Sequence, residues 1–273
     1  MRIIFVLAAV VAAGQSPGPV EARRIAPGRA ERIAGLSANL RYHTEAEHQR
    51  YMNERDAWTK QIHGEVDAYM GEIRGPGFPS PSGVADELTH LLSKSMPERG
   101  YADPVTARLA ADEGGVAKYL LVSYSLSRGG AVDEAATTVR AYLPSAAGLR
   151  LVASGADDME GYPFFIRELS SPRRGEWWFL LYGFTGSNGP HRRRIRVIAF
   201  DGSQFRTVWA PDDQYDDGTF ESEVSVTGRG NVISAERLDV GRYYGRAGAP
   251  YHFVDEYLVS SDGVSRITSR AVD

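Results

Sequence analysis

The chain reads as mainly β: three successive four-stranded antiparallel meanders, propeller-blade-like or packed as a sandwich, behind an N-terminal helical segment. Three observations predict this. First, a strand, a tight glycine turn and a second strand recur at residues 139–143 and 149–152 around Gly148, at 195–200 and 205–208 around Gly202, and at 253–259 and 264–267 around Gly263. These glycines stand about 50–60 residues apart, in or just above the range of propeller-type repeats. Second, residues 118–126 and 176–184 are near-continuous apolar or aromatic runs, the composition of strands covered on both faces. Third, before residue 105 the apolar residues recur at helical rather than strand spacing.

Taken in order, the chain opens with Arg2, an apolar run over residues 3–13 and small residues ending at Gly14. That run is shorter than the roughly 20 residues a membrane span needs, and its charged start and small-residue end predict a signal peptide over residues 1–14. The expected location is therefore the periplasm or the extracellular space, with no transmembrane span. The chain contains no cysteine, so stability in an oxidising compartment has to come from packing rather than from disulfides. Residues 15–36, rich in Pro, Gly, Ala and Arg without apolar periodicity, read as a flexible linker.

Residues 37–96 read as a helical segment that packs on the β domain. Ser37 is a plausible N-cap, and Tyr51, Trp58, Ile62, Val66, Tyr69 and Ile73 recur at three, four or seven residues on one stripe. Gly64 and Gly71 weaken that helix by roughly 1 kcal/mol each relative to Ala, so docking has to hold it. Pro76, Pro79 and Pro81 end it, and a second helix over residues 84–95 carries Val84, Leu88, Leu91 and Leu92 on one face before Pro97.

The β domain spans residues 105–273. Three units are fewer than the usual four to eight blades of a closed ring, so the helices plug an open side, two chains pair as a homodimer, or the sheets stack as a sandwich. In a meander the second-to-third-strand loops share an end with the connections between units. Here that end collects residues 127–135, 185–193 and 240–250 with the acidic stretches 157–163 and 212–218, whereas the turns at 145–148, 201–203 and 261–263 are short. Long loops on a rigid scaffold are where binding residues concentrate.

On those loops His191, Arg192, Arg193 and Arg194 form the densest basic cluster, and Arg242, Tyr243, Tyr244 and Arg246 add aromatic rings in the matching loop of the third unit. Guanidinium forks can hold a carboxylate or phosphate while tyrosines stack on a sugar or pack a peptide. The ligand-binding expectation falls on His191, Arg192, Arg242, Tyr243, Tyr244 and Arg246. Asp213, Asp216 and Asp217 supply hard oxygens suited to Ca²⁺, although their spacing is not that of an EF-hand and a plain acidic turn competes. His43, Glu47 and His48 lack the i, i+4 histidine pair of a helical zinc site.

The chain has 31 Lys plus Arg against 35 Asp plus Glu, a net charge of −4, which does not favour nucleic acid. With no cysteine nucleophile, no Gly-x-Ser-x-Gly elbow and no phosphate-binding glycine loop, the expected function is an exported, non-catalytic binding protein without a resident cofactor beyond Ca²⁺. Its expected partner is an envelope or extracellular glycan, peptide or protein. The rival expectation is an exported hydrolase such as a glycosidase, drawing on carboxylates of residues 212–218 with Glu221 and Glu223; such pairs need a defined separation of about 5–9.5 Å.

Overall fold

A computed structural model of the chain describes residues 28–40, 45–95, 105–126, 136–160, 162–185, 192–211, 224–227, 231–238 and 252–271. Helices α1 (Arg29–Asn39), α2 (Glu45–Glu72) and α3 (Pro81–Ser95) come first. The strands follow as β1 (Thr106–Ala111), β2 (Ala117–Leu126), β3 (Ala136–Ser145), β4 (Gly148–Glu160), β5 (Tyr162–Leu169) and β6 (Trp177–Thr185). The last six are β7 (Arg192–Phe200), β8 (Phe205–Trp209), β9 (Val224–Thr227), β10 (Val232–Leu238), β11 (His252–Ser260) and β12 (Gly263–Ala271). They form three four-stranded sheets in the orders β1-β2-β3-β4, β5-β6-β7-β8 and β12-β11-β10-β9, every pair antiparallel. None of the described helices is long and apolar enough to cross a membrane.

The layers follow from side-chain alternation along the two central strands. On β2, Leu120, Val122, Tyr124 and Leu126 meet the helices in one core cluster, while Leu121 joins Val139 and Ala141 against the second sheet. On β6, Phe179 and Leu181 face the first sheet, whereas Trp178 and Leu180 face Ile233, Ala235, Tyr257 and Val259 of the third. Both strands are therefore buried on both faces, which is why their sequences are apolar without alternation. The order through the stack is helices, first sheet, second sheet, third sheet.

The helices cover the outer face of the first sheet. Tyr51, Trp58, Ile62, Val66, Tyr69 and Ile73 of α2 are all buried, as are Val84, Leu88, Leu91 and Leu92 of α3. Ser80 precedes α3 with its hydroxyl 3.5 Å from the Gly83 amide, and Pro81 takes the first helical position, where its missing N–H costs nothing. Gly148 at the β3–β4 turn has φ 137°, and a Cβ there would collide with the Gly71 backbone; the glycine at Gly148 lets hairpin and helix touch, whereas a Cβ at Gly71 would only reach Leu149 at 3.8 Å.

Three features differ from the sequence reading. Residues 29–36, expected in the linker of residues 15–36, form most of α1, and Ser37 lies in its last turn instead of capping the next helix. α1 docks through a short apolar stripe, with Ile33 and Leu40 buried and Ala30 and Leu36 packed beside them, and through ions: Arg29 is buried and pairs bidentately with Glu72 at 2.8 and 2.7 Å, and Arg32 does so with Glu65 at 2.6 and 2.8 Å. The Arg32 bond holds the Glu65 carboxyl below its usual range, and the Arg29 bond does the same for Glu72.

The acidic stretch 157–163 is not a loop. β4 runs to Glu160, with Met159 opposite Thr137 and Glu160 opposite Ala136, and β5 starts at Tyr162. The extra residues go into a bulge, where Val139 pairs with Gly155 and Ala156 sits at φ 60°, a local twist that keeps the strand paired beyond it. Finally, the turn end is not uniformly trimmed. The β5–β6 connection, residues 170–176, is longer than the chain between β6 and β7, residues 186–191.

Candidate functional site

The described turns gather at one end of the stack. The Trp177 indole N–H at the start of β6 donates to the Ala111 carbonyl at the end of β1 at 2.6 Å. Asn231, before β10, accepts from the Ser170 amide at 2.8 Å and donates to its carbonyl at 2.5 Å. Arg173 donates to the Ser261 carbonyl of the β11–β12 turn at 2.9 Å. The opposite strand ends, Leu126 with Ala136, Thr185 with Arg192 and Leu238 with His252, therefore point to the other end.

At the turn end, the β1–β2 turn and the β5–β6 connection stand apart and enclose a cleft of about 830 Å³. Each wall is shaped by its own short-range bonds. Asp112 Oδ1 accepts from the Gly114 and Val116 amides at 3.0 and 2.9 Å, and Gly115 takes φ 76°, a geometry that an Asx turn and a glycine provide. On the facing wall the Ser171 hydroxyl donates to the Arg173 carbonyl at 2.6 Å and accepts from the Arg173 amide at 3.2 Å. The floor holds Leu169, Tyr119 and Trp177. The Tyr119 and Trp177 rings meet edge to face, 5.3 Å apart at 77°, and Tyr119 also meets Phe200 at 4.9 Å, arrangements that aromatic quadrupoles favour.

The charges of the cleft fall into three states. Glu176 is committed: one oxygen accepts from the Trp178 indole at 2.8 Å and from Arg206 at 2.7 Å. Asp112 is held by the turn, and the Lys118 ammonium at 3.0 Å, with the Val116 amide, keeps its carboxyl below the usual range. Arg174 and Glu113 meet across the rim at 3.3 Å with side chains 88% and 72% exposed, a contact worth little in water. Glu168 lines the cleft, and its carboxylate has no hydrogen-bond or ion-pair partner among the described residues; the Tyr119 hydroxyl lies beside Gly202 of the β7–β8 turn.

A second polar group of residues lies between α2 and the first sheet. Arg140 donates to Asp67 through Nε at 2.8 Å and through a second nitrogen, and the Tyr142 hydroxyl donates to the same carboxylate at 2.7 Å. His63 Nδ1 is 2.8 Å from the Tyr124 hydroxyl. Burial, then the neighbouring Tyr124 and Asp67, push the Tyr142 hydroxyl well above its usual range. Burial opposes the Arg140 charge, and the Asp67 bond more than offsets it. These bonds are directed at one another inside a packed interface, so the group positions α2 instead of receiving a ligand.

Of the ligand-binding residues expected from the sequence, His191, Arg242, Tyr243, Tyr244 and Arg246 lie outside the described residues, as do Asp213, Asp216 and Asp217. Arg192 is described as the first residue of β7, opposite Thr185, at the end away from the cleft. Among the described residues no group of three or more His, Asp or Glu side chains converges as a metal site. Sequence reasoning missed the cleft, although Pro172-Arg173-Arg174-Gly175-Glu176 does carry a loop signal with charge. Nothing local to residues 112–119 announces that this second segment lies opposite. Comparison of the chain with protein-family models, with curated proteins and with solved structures finds no match.

Proposed function

We propose that this chain is an exported, non-catalytic β-rich binding protein whose ligand enters the cleft between the first and second sheets. The observation that carries the reading is the cleft itself: about 830 Å³ between two turns, with aromatic Tyr119 and Trp177 and the unpartnered Glu168 carboxylate in its lining, which is how ligand sites are commonly built. Export rests on Arg2 and the apolar run over residues 3–13. A hydrolase reading has less support, since Glu176 and Asp112 are already bound by neighbouring donors and are poorly placed to pass a proton.

A second reading puts the ligand, an envelope glycan, peptide or protein, at the opposite end, on His191, Arg192, Arg242, Tyr243, Tyr244 and Arg246. It is favoured by the common direction of the three strand pairs that end at Ala136, Arg192 and His252. We also take the three sheets as copies of one blade-like unit. Support comes from the last hairpin of each sheet, which turns on a positive-φ glycine: Gly148, Gly202 and Gly263.

The deciding experiment is a thermal-shift panel with Ca²⁺, a chelator, envelope sugars and short peptides on the wild type, on Glu168→Ala with Arg174→Ala, and on Tyr243→Ala with Tyr244→Ala. A ligand at 100 times its dissociation constant adds about 2.7 kcal/mol of stability. Loss of the shift only in the Glu168/Arg174 variant supports the cleft. Its loss only in the tyrosine variant moves the site to the other end.

A further inference from the structure

Resting on the cleft reading, we propose that its ligand is a neutral oligosaccharide. Three properties of the walls select that chemistry. The first is charge balance. Each cation of the cleft faces a carboxylate, Lys118 on Asp112, Arg174 on Glu113 and Arg173 on Glu176, which leaves Glu168 as the single uncompensated charge. A single excess negative charge is too little to concentrate a polycation, and it disfavours a polyanion.

The second property separates a sugar from a peptide. One common mode of recognising an extended peptide, strand addition, relies on free main-chain groups. Here the wall backbone is occupied by its own turns: the Asp112 amide donates to Val116, the Gly115 amide to Asp112 and the Glu176 amide to Arg173. Asn231 takes both backbone groups of Ser170. Besides the outer edges of β1 and β5, the groups that remain are on side chains: the Glu168 carboxylate, the spare Lys118 donors and the open fork of Arg174. That mixture of donors and acceptors matches ligand hydroxyls, each of which can give and take a hydrogen bond.

The third property is the floor. Tyr119 and Trp177 present partly exposed aromatic carbon beside these polar groups, which suits the C–H face of a pyranose ring with its hydroxyls directed to the walls. The cleft volume of about 830 Å³ accommodates more than one ring, so a chain of sugars is preferred to a monosaccharide.

The test is isothermal titration of the full chain with neutral trisaccharides of β-1,4-linked glucose, N-acetylglucosamine and mannose, and in parallel with neutral hexapeptides. The expected result is binding of at least one trisaccharide, weakened at least tenfold by Glu168→Gln. The replacement keeps side-chain size, and an unchanged melting temperature verifies the fold. Arg174→Ala, fully at the surface, is expected to weaken the same sugar without touching stability. Hexapeptide binding that these variants abolish, with no sugar bound, overturns the sugar class but keeps the cleft. Sugar binding that is indifferent to these variants and lost in Tyr243→Ala with Tyr244→Ala overturns the cleft and this proposal together. Absence of binding by every trisaccharide overturns the proposal.

Discussion

The two faces of the first sheet are built from the same strands yet hold their neighbours by different means. Toward the helices, β2 and β3 present Tyr124, Arg140 and Tyr142, which bond His63 and Asp67 of α2 inside an apolar surround. Toward the second sheet the contact is almost all carbon, Leu121, Val139 and Ala141 against Phe179, Leu181, Ile198 and Phe200. Its polar content includes Ser125 and Thr137, whose hydroxyls satisfy each other at 2.9 Å. A helix lying on a sheet can slide along it with little change in buried area. Sliding by one turn, about 5.4 Å, would part Asp67 from Arg140, so directed bonds define where α2 sits. Two pleated sheets interlock by shape and need no such device.

The largest expected effects test the two faces with opposite logic. Asp67→Leu leaves the Arg140 guanidinium, whose side chain is 7% exposed, without its counter-charge, and should cost about 3–5 kcal/mol in urea unfolding. Adding Arg140→Met should recover most of that loss, because a buried ion pair is nearly exchangeable for apolar residues of similar volume. Phe179→Ala on the other face should also cost about 3–5 kcal/mol, and here no partner substitution of similar volume should restore it. Failure of the Asp67/Arg140 double variant to recover would mean that the polar set contributes more than register.

Smaller effects sharpen the comparison. Gly148→Ala forces a methyl into the Gly71 backbone at a positive φ and should lower stability by roughly 1–3 kcal/mol; a neutral result by chemical denaturation would show that the hairpin can retreat from α2. Tyr124→Phe removes the hydroxyl bonded to His63 and should cost about 1–3 kcal/mol, more than Ile198→Val on the apolar face at about 0.5–1.5 kcal/mol. Equal losses would erase the distinction between the faces.

The smallest effect belongs to an exposed turn, outside both faces. Asp201 accepts from the Gln204 amide, and from the Ser203 hydroxyl and amide, which lower its pKa to about 2. A carboxylate whose folded pKa lies below its unfolded value of about 3.9 stabilises the fold above that value. The contribution fades as pH falls from about 4 to about 2. Asp201→Asn should lower the urea midpoint slightly at pH 7, with the difference from the wild type shrinking as pH falls from about 4 to about 2; an unaltered slope in that window would mean that the turn does not couple to folding.

The legible parts of the sequence were those with a local period. The stripe from Tyr51 to Ile73 announced the buried face of α2, and the runs at residues 118–126 and 176–184 marked the strands with two covered faces. The hairpin glycines Gly148, Gly202 and Gly263 marked their turns. α1 was overlooked because its apolar stripe, Ala30, Ile33, Leu36 and Leu40, is short and set among charges, and because Arg29 and Arg32 look like any charged stretch until Glu65 and Glu72 are brought beside them. β4 was misread at residues 157–160 because an aspartate pair resembles a turn, whereas a bulge at Ala156 lets the strand continue. The cleft was illegible for a related reason. Asp112 and Arg174 each sit in an ordinary turn, and only the stacking of two sheets makes those turns opposing walls.

By itself the sequence determined α2, α3 and the central strands β2 and β6 with their apolar faces, because those properties arise between residues two to four positions apart. The tertiary structure alone decided the order of the layers, the meeting of Asp67 with Arg140 and the position of the cleft. Those contacts join residues separated by tens of positions, and their formation depends on the entropy of closing the intervening chain and on the fit of whole surfaces. No local pattern carries either quantity.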